Sequence, residues 1–271
     1  MVEKKNLEPM IQSHCTKAVF ISDLHLRSCD EANALLLLQF LSTLETRKYT
    51  HLFLLGDIFD LWIADHRYFA DRFEPILTAL QKLQKKGIKI HYFEGNHDLD
   101  LKPYFERKLG AIVHEVAYQT HLAGRKLRLE HGDQMDPTDR DYLFLRWLLR
   151  TPVIRWLGRH LPQAIVRWIG EKASKTSRSY TTEVRKSIGH DAVEQKQLTH
   201  AEKAYKENPF DFLIAGHVHV QLDKQLPKRA ARLINLGTWL EKPYVFELSA
   251  NSARLREVNE FISSEAKRPE L

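Results

Sequence analysis

The chain has 271 residues, 43% hydrophobic and 28% charged, a composition that supports a full core and excludes a fibrous or disordered protein. Its net charge of +6 is concentrated, because residues 142–186 carry ten Lys/Arg against two acids and the remainder is slightly acidic. That distribution argues against a uniformly basic, nucleic-acid-coating protein and for one surface that meets an anionic partner.

In chain order, Ala18–Ser22 is the first short buried strand, and Glu31–Arg47 follows as a helix with Leu35, Leu38, Leu41 and Leu44 at a spacing of three. Leu52–Leu55 is the second strand. Phe69–Lys86 is a helix through Phe73, Ile76, Leu77, Leu80 and Leu83, stopped by Gly87. Ile88–Phe93 closes a strand, helix, strand, helix, strand series that predicts parallel pairing with helices on the faces. A hairpin is expected around Ala123-Gly124-Arg125, joining Val116–Leu122 to Leu127–Glu130. The stretch 142–186 breaks the alternation: it is helical in composition, interrupted by Pro152 and Pro162, and resembles an insertion. Phe212–Ala215, Leu233–Asn235 and Tyr244–Leu248 are the last strands, and residues 250–271 are expected to be a fraying polar tail.

Cys15 and Cys29 make no disulfide framework, the N-terminal residues lack the apolar core of a secretory signal, and no run of about 18 apolar residues is present. A cytoplasmic protein is the expectation.

The polar residues just beyond the strands are Asp23 and His25, Asp57, Asn96 with His97 and Asp98, His131, and His217 with His219. In open parallel sheets, ligands bind beyond the carboxyl ends of the strands. Five segments deliver oxygen and nitrogen donors there, and none delivers sulfur. Such donors suit Mn, Fe or Zn in multi-coordinate sites rather than a structural zinc. Seven candidate ligands (Asp23, His25, Asp57, Asn96, His131, His217, His219) are too many for one ion and right for two that share a carboxylate. A lone histidine after a strand is more often a satisfied surface or core residue, and nine of the 14 histidines lie outside these motifs. Five motifs in succession, each behind a strand, favour metal.

The series D-x-H, GD-x-x-D, GNHD, HGD and GHxH, from about Ala18 to Trp239, resembles the calcineurin-like metallophosphoesterases. The resemblance implies an α/β (α+β) fold, a four-layer β-sandwich flanked by helices, with two divalent metal ions at the strand ends, Mn²⁺ by expectation. It would place Asp23, His25, Asp57 and His219 on one ion and Asp57, Asn96, His131 and His217 on the other, with Asp57 bridging. Two such ions serve in-line displacement at phosphorus. His97 would stabilise the transition state or protonate the leaving oxygen, with Asp98 orienting it. Asp98 also suits a turn or a helix N-cap.

GDIFDLW at Gly56–Trp62, HGDQMDPTDRDY at His131–Tyr142 and INLGTW at Ile234–Trp239 resemble the UDP-2,3-diacylglucosamine diphosphatases of lipid A synthesis, which carry a helical lid where residues 142–186 lie. The resemblance implies cleavage of a UDP-linked diacylated glucosamine to UMP and the acylated sugar 1-phosphate. Asn96, His97, His217, Asp139, Ser174, Lys175 and Arg178 would meet that substrate, although the last three align loosely and equally suit capping or solvated roles. Where this sequence has His97, the better-known proteobacterial form has arginine.

Within the insertion, Trp147, Trp156 and Trp168 alternate with Arg146, Arg150, Arg155, Arg159 and Arg167. Basic residues beside large apolar ones suit helices drawn to anionic lipid headgroups at the inner-membrane surface, or a wall for acyl chains. The apolar positions also suit packing onto the core. A nucleic-acid partner is not expected, because no RNA-binding motif accompanies the segment. Two other functions fit the sequence: the same chemistry on a soluble nucleotide or diester, and a non-catalytic scaffold of the same fold. A Trp-rich lid counts against the first, and a complete ligand set counts against the second.

Overall fold

The computed structural model describes residues 16–169, 172 and 190–266. Ser174, Lys175 and Arg178, with Cys15, lie outside the described residues.

Two mixed sheets face each other, and β3 (Trp62–Ile63) and β5 (Asp98–Leu99) form a separate parallel pair ahead of the short helix α4 (Lys102–Phe105). In the first, β1 (Lys17–Ile21), β2 (His51–Leu54), β4 (Lys89–Phe93) and β6 (Ile112–His114) run parallel. β12 (Tyr244–Ser249) and β13 (Ser252–Glu257) add antiparallel strands beyond β1. In the second, β8 (Arg125–Leu129), β9 (Phe212–Ala215) and β11 (Arg232–Leu236) run parallel, with β7 (Tyr118–Leu122) and β10 (Gln221–Gln225) antiparallel at the two edges. The hairpin of β7 and β8 turns at Ala123 and Gly124, both with positive φ, as a tight two-residue turn requires.

Alternation along the strands sorts the side chains into three apolar layers. Phe20, Phe53, Phe93, Leu129, Ile214 and Phe246 fill the space between the sheets, where Phe20 stacks on Phe53 at 4.6 Å between ring centroids. The other face of the first sheet packs on α1 (Ala32–Thr46) and α3 (Glu74–Lys85), and that of the second on α7 (His190–Glu207). The result is the expected four-layer sandwich of two sheets flanked by helices.

Two expectations need correction. The helix read across residues 69–86 is two helices, α2 (Arg67–Arg72) and α3, broken at Phe73. Pro75 has no amide hydrogen, and its ring would strike the carbonyl of Asp71 in a continuous helix. The polar tail is not a fraying end as far as residue 266. β13 pairs with β12 along its whole length, and α8 (Val258–Ala266) buries Val258 and Phe261 against α1. Two apolar residues at helical spacing were enough to dock a polar-looking segment.

Three histidines sit among the aromatics between the sheets. His91 Nδ1 lies 2.9 Å from His114 Nε2, His91 stacks on Phe53 at 4.5 Å, and His114 lies over Phe93 at 4.5 Å and Tyr118 at 4.3 Å. Burial lowers His91 to about 3, and His51 and His114 to about 4. Their folded values lie below the unfolded value, so the unfolded chain binds more protons below pH 6.5. Stability is therefore complete above pH 6.5 and falls as the pH drops toward 4. In urea denaturation at pH 6.5 and 5.0, the wild type should lose stability on acidification, and His91→Phe should reduce that loss by roughly 1–2 kcal/mol. An unchanged pH slope in the variant would remove His91 from this account.

Candidate metal centre

Because β1, β2 and β4 are parallel in one sheet and β8 and β9 in the other, all five loops at their carboxyl ends emerge on one side of the sandwich. Backbone hydrogen bonds tie these loops together. Asp23 N donates to Gly56 O at 3.1 Å, Leu24 N and His25 N to Asp57 O at 2.9 and 3.0 Å, and Gly216 N to His131 O at 2.8 Å. At two close approaches only glycine fits: a Cβ on Gly95 would strike the Asp57 carboxylate, and one on Gly216 would strike that of Asp23.

All seven predicted ligands meet. His25 Nε2 lies 3.0 Å from His219 Nε2, which lies 3.3 Å from Asp23 Oδ1. Asn96 Oδ1 lies 3.2 Å from His131 Nε2 and 3.1 Å from His217 Nδ1. Asp57 joins the two groups. Its Oδ1 accepts the backbone amides of Asn96 and His97, both at 3.0 Å. That leaves Oδ2 at 3.4 Å from His131 Nε2 and 3.9 Å from His25 Nε2.

Five of these residues, Asp23, His25, Asp57, His217 and His219, have φ between 50° and 71°, a left-handed backbone that costs a non-glycine residue about 1–2 kcal/mol. Asp and His tolerate this region better than bulky or β-branched residues do.

The electrostatics match a site short of positive charge. Burial would raise the Asp57 carboxyl, but the His131 imidazole beside it holds it well below the usual carboxylate range. Burial would lower His131, but Asp57 outweighs it and pushes the imidazole up to about 10. Burial drives His25 down to about 3 and His217 to about 4, the neutral form that offers a lone pair. His131 donates its Nδ1 hydrogen to Leu55 O at 2.8 Å, which turns Nε2 toward the site. Imidazole nitrogens and carboxylate and amide oxygens thus converge at about 3–4 Å, roughly the spacing of donors that share a cation at about 2.1 Å. The donor set, without sulfur, fits two divalent ions.

His97 stands beside this centre, its ring edge-on to His25 at 4.8 Å. Asp98 does not orient it. The Asp98 carboxylate points the other way and accepts hydrogen bonds from the backbone amides of Asp57, Ile58 and Gly95 and from Tyr92 Oη. It cross-links the two loops that carry Asp57 and Asn96. His97 Nδ1 instead donates to the backbone oxygen of Asp60 at 2.9 Å. Asp60 and Tyr92 were not foreseen in these roles; the second aspartate of GD-x-x-D was the available signal. Asp139 is exposed and caps α5 (Arg140–Leu149) by accepting the amide of Tyr142 at 3.1 Å, so the D-x-x-Y spacing marks a helix start.

The insertion turns its charges inward. Arg146 pairs with Asp133, and Arg150 donates to Gly95 O at 2.9 Å. Arg155 meets Glu115 at 2.8 Å and Glu94 at 3.3 Å, and Arg159 makes two bonds to Asp100. Each pair of arginines is four residues apart and so lies on one helical face, Arg146 on α5 with Arg150 as its C-cap, and Arg155 and Arg159 on α6 (Pro152–Arg159). The apolar side chains lie opposite: Trp147 is 61% exposed, Trp156 58% and, on the helical segment 163–169, Trp168 56%. Phe144, Leu145, Val153 and Leu157 are exposed with them. Four arginines of the basic stripe expected on the surface therefore form the seam to the body, while Arg167 is exposed and the outer surface is rich in large apolar side chains. No described helix is long and apolar enough to cross a membrane.

Fold and donor clusters together define a metal-dependent phosphoesterase. The calcineurin-like phosphoesterase family matches residues 16–221, and the chain belongs to that family. It is a metal-dependent hydrolase. Among curated relatives, the UDP-2,3-diacylglucosamine hydrolase of Histophilus somni (strain 129Pt) is 30% identical, over 87% of this chain and 97% of the relative. The protein of that name from Pseudomonas paraeruginosa is 31% identical, over 87% and 96%. A solved archaeal phosphodiesterase matches with 13% identity and a TM-score of 0.46, over 89% of this chain and 98% of that one.

Replacing Asp57 with Ala removes the one oxygen placed between both donor groups. The variant should lose both ions and turnover together, with Mn²⁺ binding by calorimetry falling from two per chain to less than one. His219→Ala should weaken only one of the two. Two tightly bound ions in the Asp57 variant would refute the bridging role.

Proposed function

We propose that the chain hydrolyses the pyrophosphate bond of a UDP-linked 2,3-diacylated glucosamine, giving UMP and the acylated sugar 1-phosphate. We read residues 1–271 as one metallophosphoesterase domain, with 142–186 as its lid. The observation that carries this reading is a convergent cluster of oxygen and nitrogen donors beside helices that expose large apolar side chains. Support comes from relatives named for that substrate, matched over nearly their whole length. A soluble nucleotide gives no reason for an exposed row of tryptophans.

Divalent ions, with manganese the expectation, would be held by the seven ligands and would supply Lewis-acid polarisation of the phosphoryl oxygens. Asp57, whose Oδ2 faces both donor groups, would be the carboxylate shared between the ions. His97, with Nδ1 committed to Asp60 O, presents Nε2 to the substrate. The leaving group in pyrophosphate cleavage is a phosphate ester, whose own pKa of about 6 makes protonation a minor gain at neutral pH. What it needs is positive charge. A protonated histidine supplies that as an arginine does, which reconciles His97 with the arginine of the better-known proteobacterial form.

The reading places the protein in the cytoplasm against the inner-membrane surface, with the apolar faces of α5, α6 and 163–169 toward lipid. The four inward arginines serve the lid seam instead.

With Mn²⁺, the purified protein should release UMP from UDP-2,3-diacylglucosamine far faster than it cleaves bis-p-nitrophenyl phosphate. Cleavage of the diester alone would overturn the substrate. His97→Arg should retain most of the activity, whereas His97→Ala should lower kcat about 10²–10³-fold with two ions still bound. An inactive His97→Arg would restore proton transfer as the essential role. In vesicle sedimentation, changing Trp147, Trp156 and Trp168 to Ser should abolish binding, while changing Arg146, Arg150, Arg155 and Arg159 to Gln should disturb the lid first. Undiminished binding by the tryptophan variant would reject the apolar face as the contact.

A further inference from the structure

The INLGTW segment follows the last ligand in sequence and supplies none, yet its polar side chains reach both ligand loops of one metal site. Asn235, at the end of β11, is fully buried. Its Nδ2 donates to Gly216 O at 2.7 Å and to Gln197 Oε1 at 2.9 Å, and its Oδ1 accepts from Gly237 N at 3.0 Å. All three of these hydrogen bonds, including both of its N–H donors, go to placing backbone or the side chain of α7 behind it.

The Gly216 carbonyl belongs to the peptide whose amide is His217 N, and that amide donates to the Asp23 carboxylate at 2.9 and 3.1 Å. One peptide plane is thus held by Asn235 at its oxygen and by Asp23 at its nitrogen. It leads directly into His217 and, two residues on, His219. Three residues beyond Asn235, the Thr238 hydroxyl donates to Asp23 O at 2.9 Å and accepts from Leu240 N at 3.2 Å. Trp239 N donates to the same Asp23 oxygen at 3.1 Å, and Asn33 Nδ2 holds Trp239 O at 2.9 Å.

We propose that Asn235 and Thr238 are positioning residues for the metal centre. They clamp Asp23 and the 216–219 loop in their left-handed conformations, so that the Asp23, His25 and His219 donors converge before an ion arrives. Asp23, His217 and His219 all have positive φ, a conformation each would leave if its neighbours allowed. Neither Asn235 nor Thr238 is one of the seven donors. They act on the ligands through main-chain oxygens, the way outer partners of metal sites set ligand orientation. This inference rests on the ligand assignment above.

The test uses Mn²⁺ alone, titrated into the metal-free full chain by calorimetry, with thermal melts of the metal-free protein alongside. Thr238→Val keeps the shape and loses both hydroxyl bonds, and Thr238→Ala loses them without adding bulk. Thr238→Ser keeps them. The Val and Ala variants should bind one ion as the wild type does and the other about 10–100-fold more weakly, while Ser restores wild-type binding of both. Asn235→Asp, which turns a donor into an acceptor facing two oxygens, should weaken the same ion. A loss of folding alone would lower the melting temperature in step with both affinities, and that outcome would overturn the positioning role. Wild-type affinity for both ions in Thr238→Val would also overturn it and leave the ligand assignment standing. A wild-type chain that takes up no Mn²⁺ would overturn both.

Discussion

One buried carboxylate organises the open end of this molecule. Asp57 sits where burial penalises a negative charge, and the structure answers with two backbone amides on one oxygen and imidazoles around the other. Those amides belong to Asn96 and His97, so compensating the charge also places the next ligand and the residue beside it. The Asp57 main-chain oxygen receives the amides of Leu24 and His25, which draws in the first loop. The same residue thus sets the distance between the sheet loops and the division of the donors into two sets.

Geometry of this kind costs backbone strain, and the strain sits at the ligands. Regular extension past β1, β2 or β9 would send Asp23, Asp57 and His217 to alternate faces and away from one another. A left-handed residue reverses the chain within one step and turns the side chain back over the sheet end. The two parallel cores, packed through Phe20, Phe53 and Phe246, provide the rigid base against which such turns can be held.

Most of this was legible in the sequence for a definite reason. Short apolar runs ending in glycine and a polar pair give both the strand and the direction in which its end points, and five of them in order leave few alternative arrangements. What was not legible depended on direction rather than composition. Nothing in GNHD tells whether the Asp98 carboxylate turns toward His97 or toward the amides behind it. Trp and Arg in alternation read the same whether the charges face water or the body, although the spacing of four between Arg146 and Arg150, and again between Arg155 and Arg159, held the clue once Glu94, Asp100, Glu115 and Asp133 were known to lie beneath. The C-terminal helix was hidden because two buried residues, Val258 and Phe261, do not raise the mean hydropathy of a polar segment.

The inward arginines make the insertion something other than an exchangeable module. Arg150 is bonded to the carbonyl of Gly95, one residue from the Asn96 ligand, and Arg155 and Arg159 close on acids carried by three separate loops of the body. An insertion grafted from a relative would bring new cations to old anions, and any mismatch would leave a charge stranded in the seam beside the loop that carries Asn96. Change in the insertion is therefore confined to its outer face, where Trp147, Trp156 and Trp168 can drift in sequence without disturbing the seam. The inner face and its acidic sockets must change together or not at all.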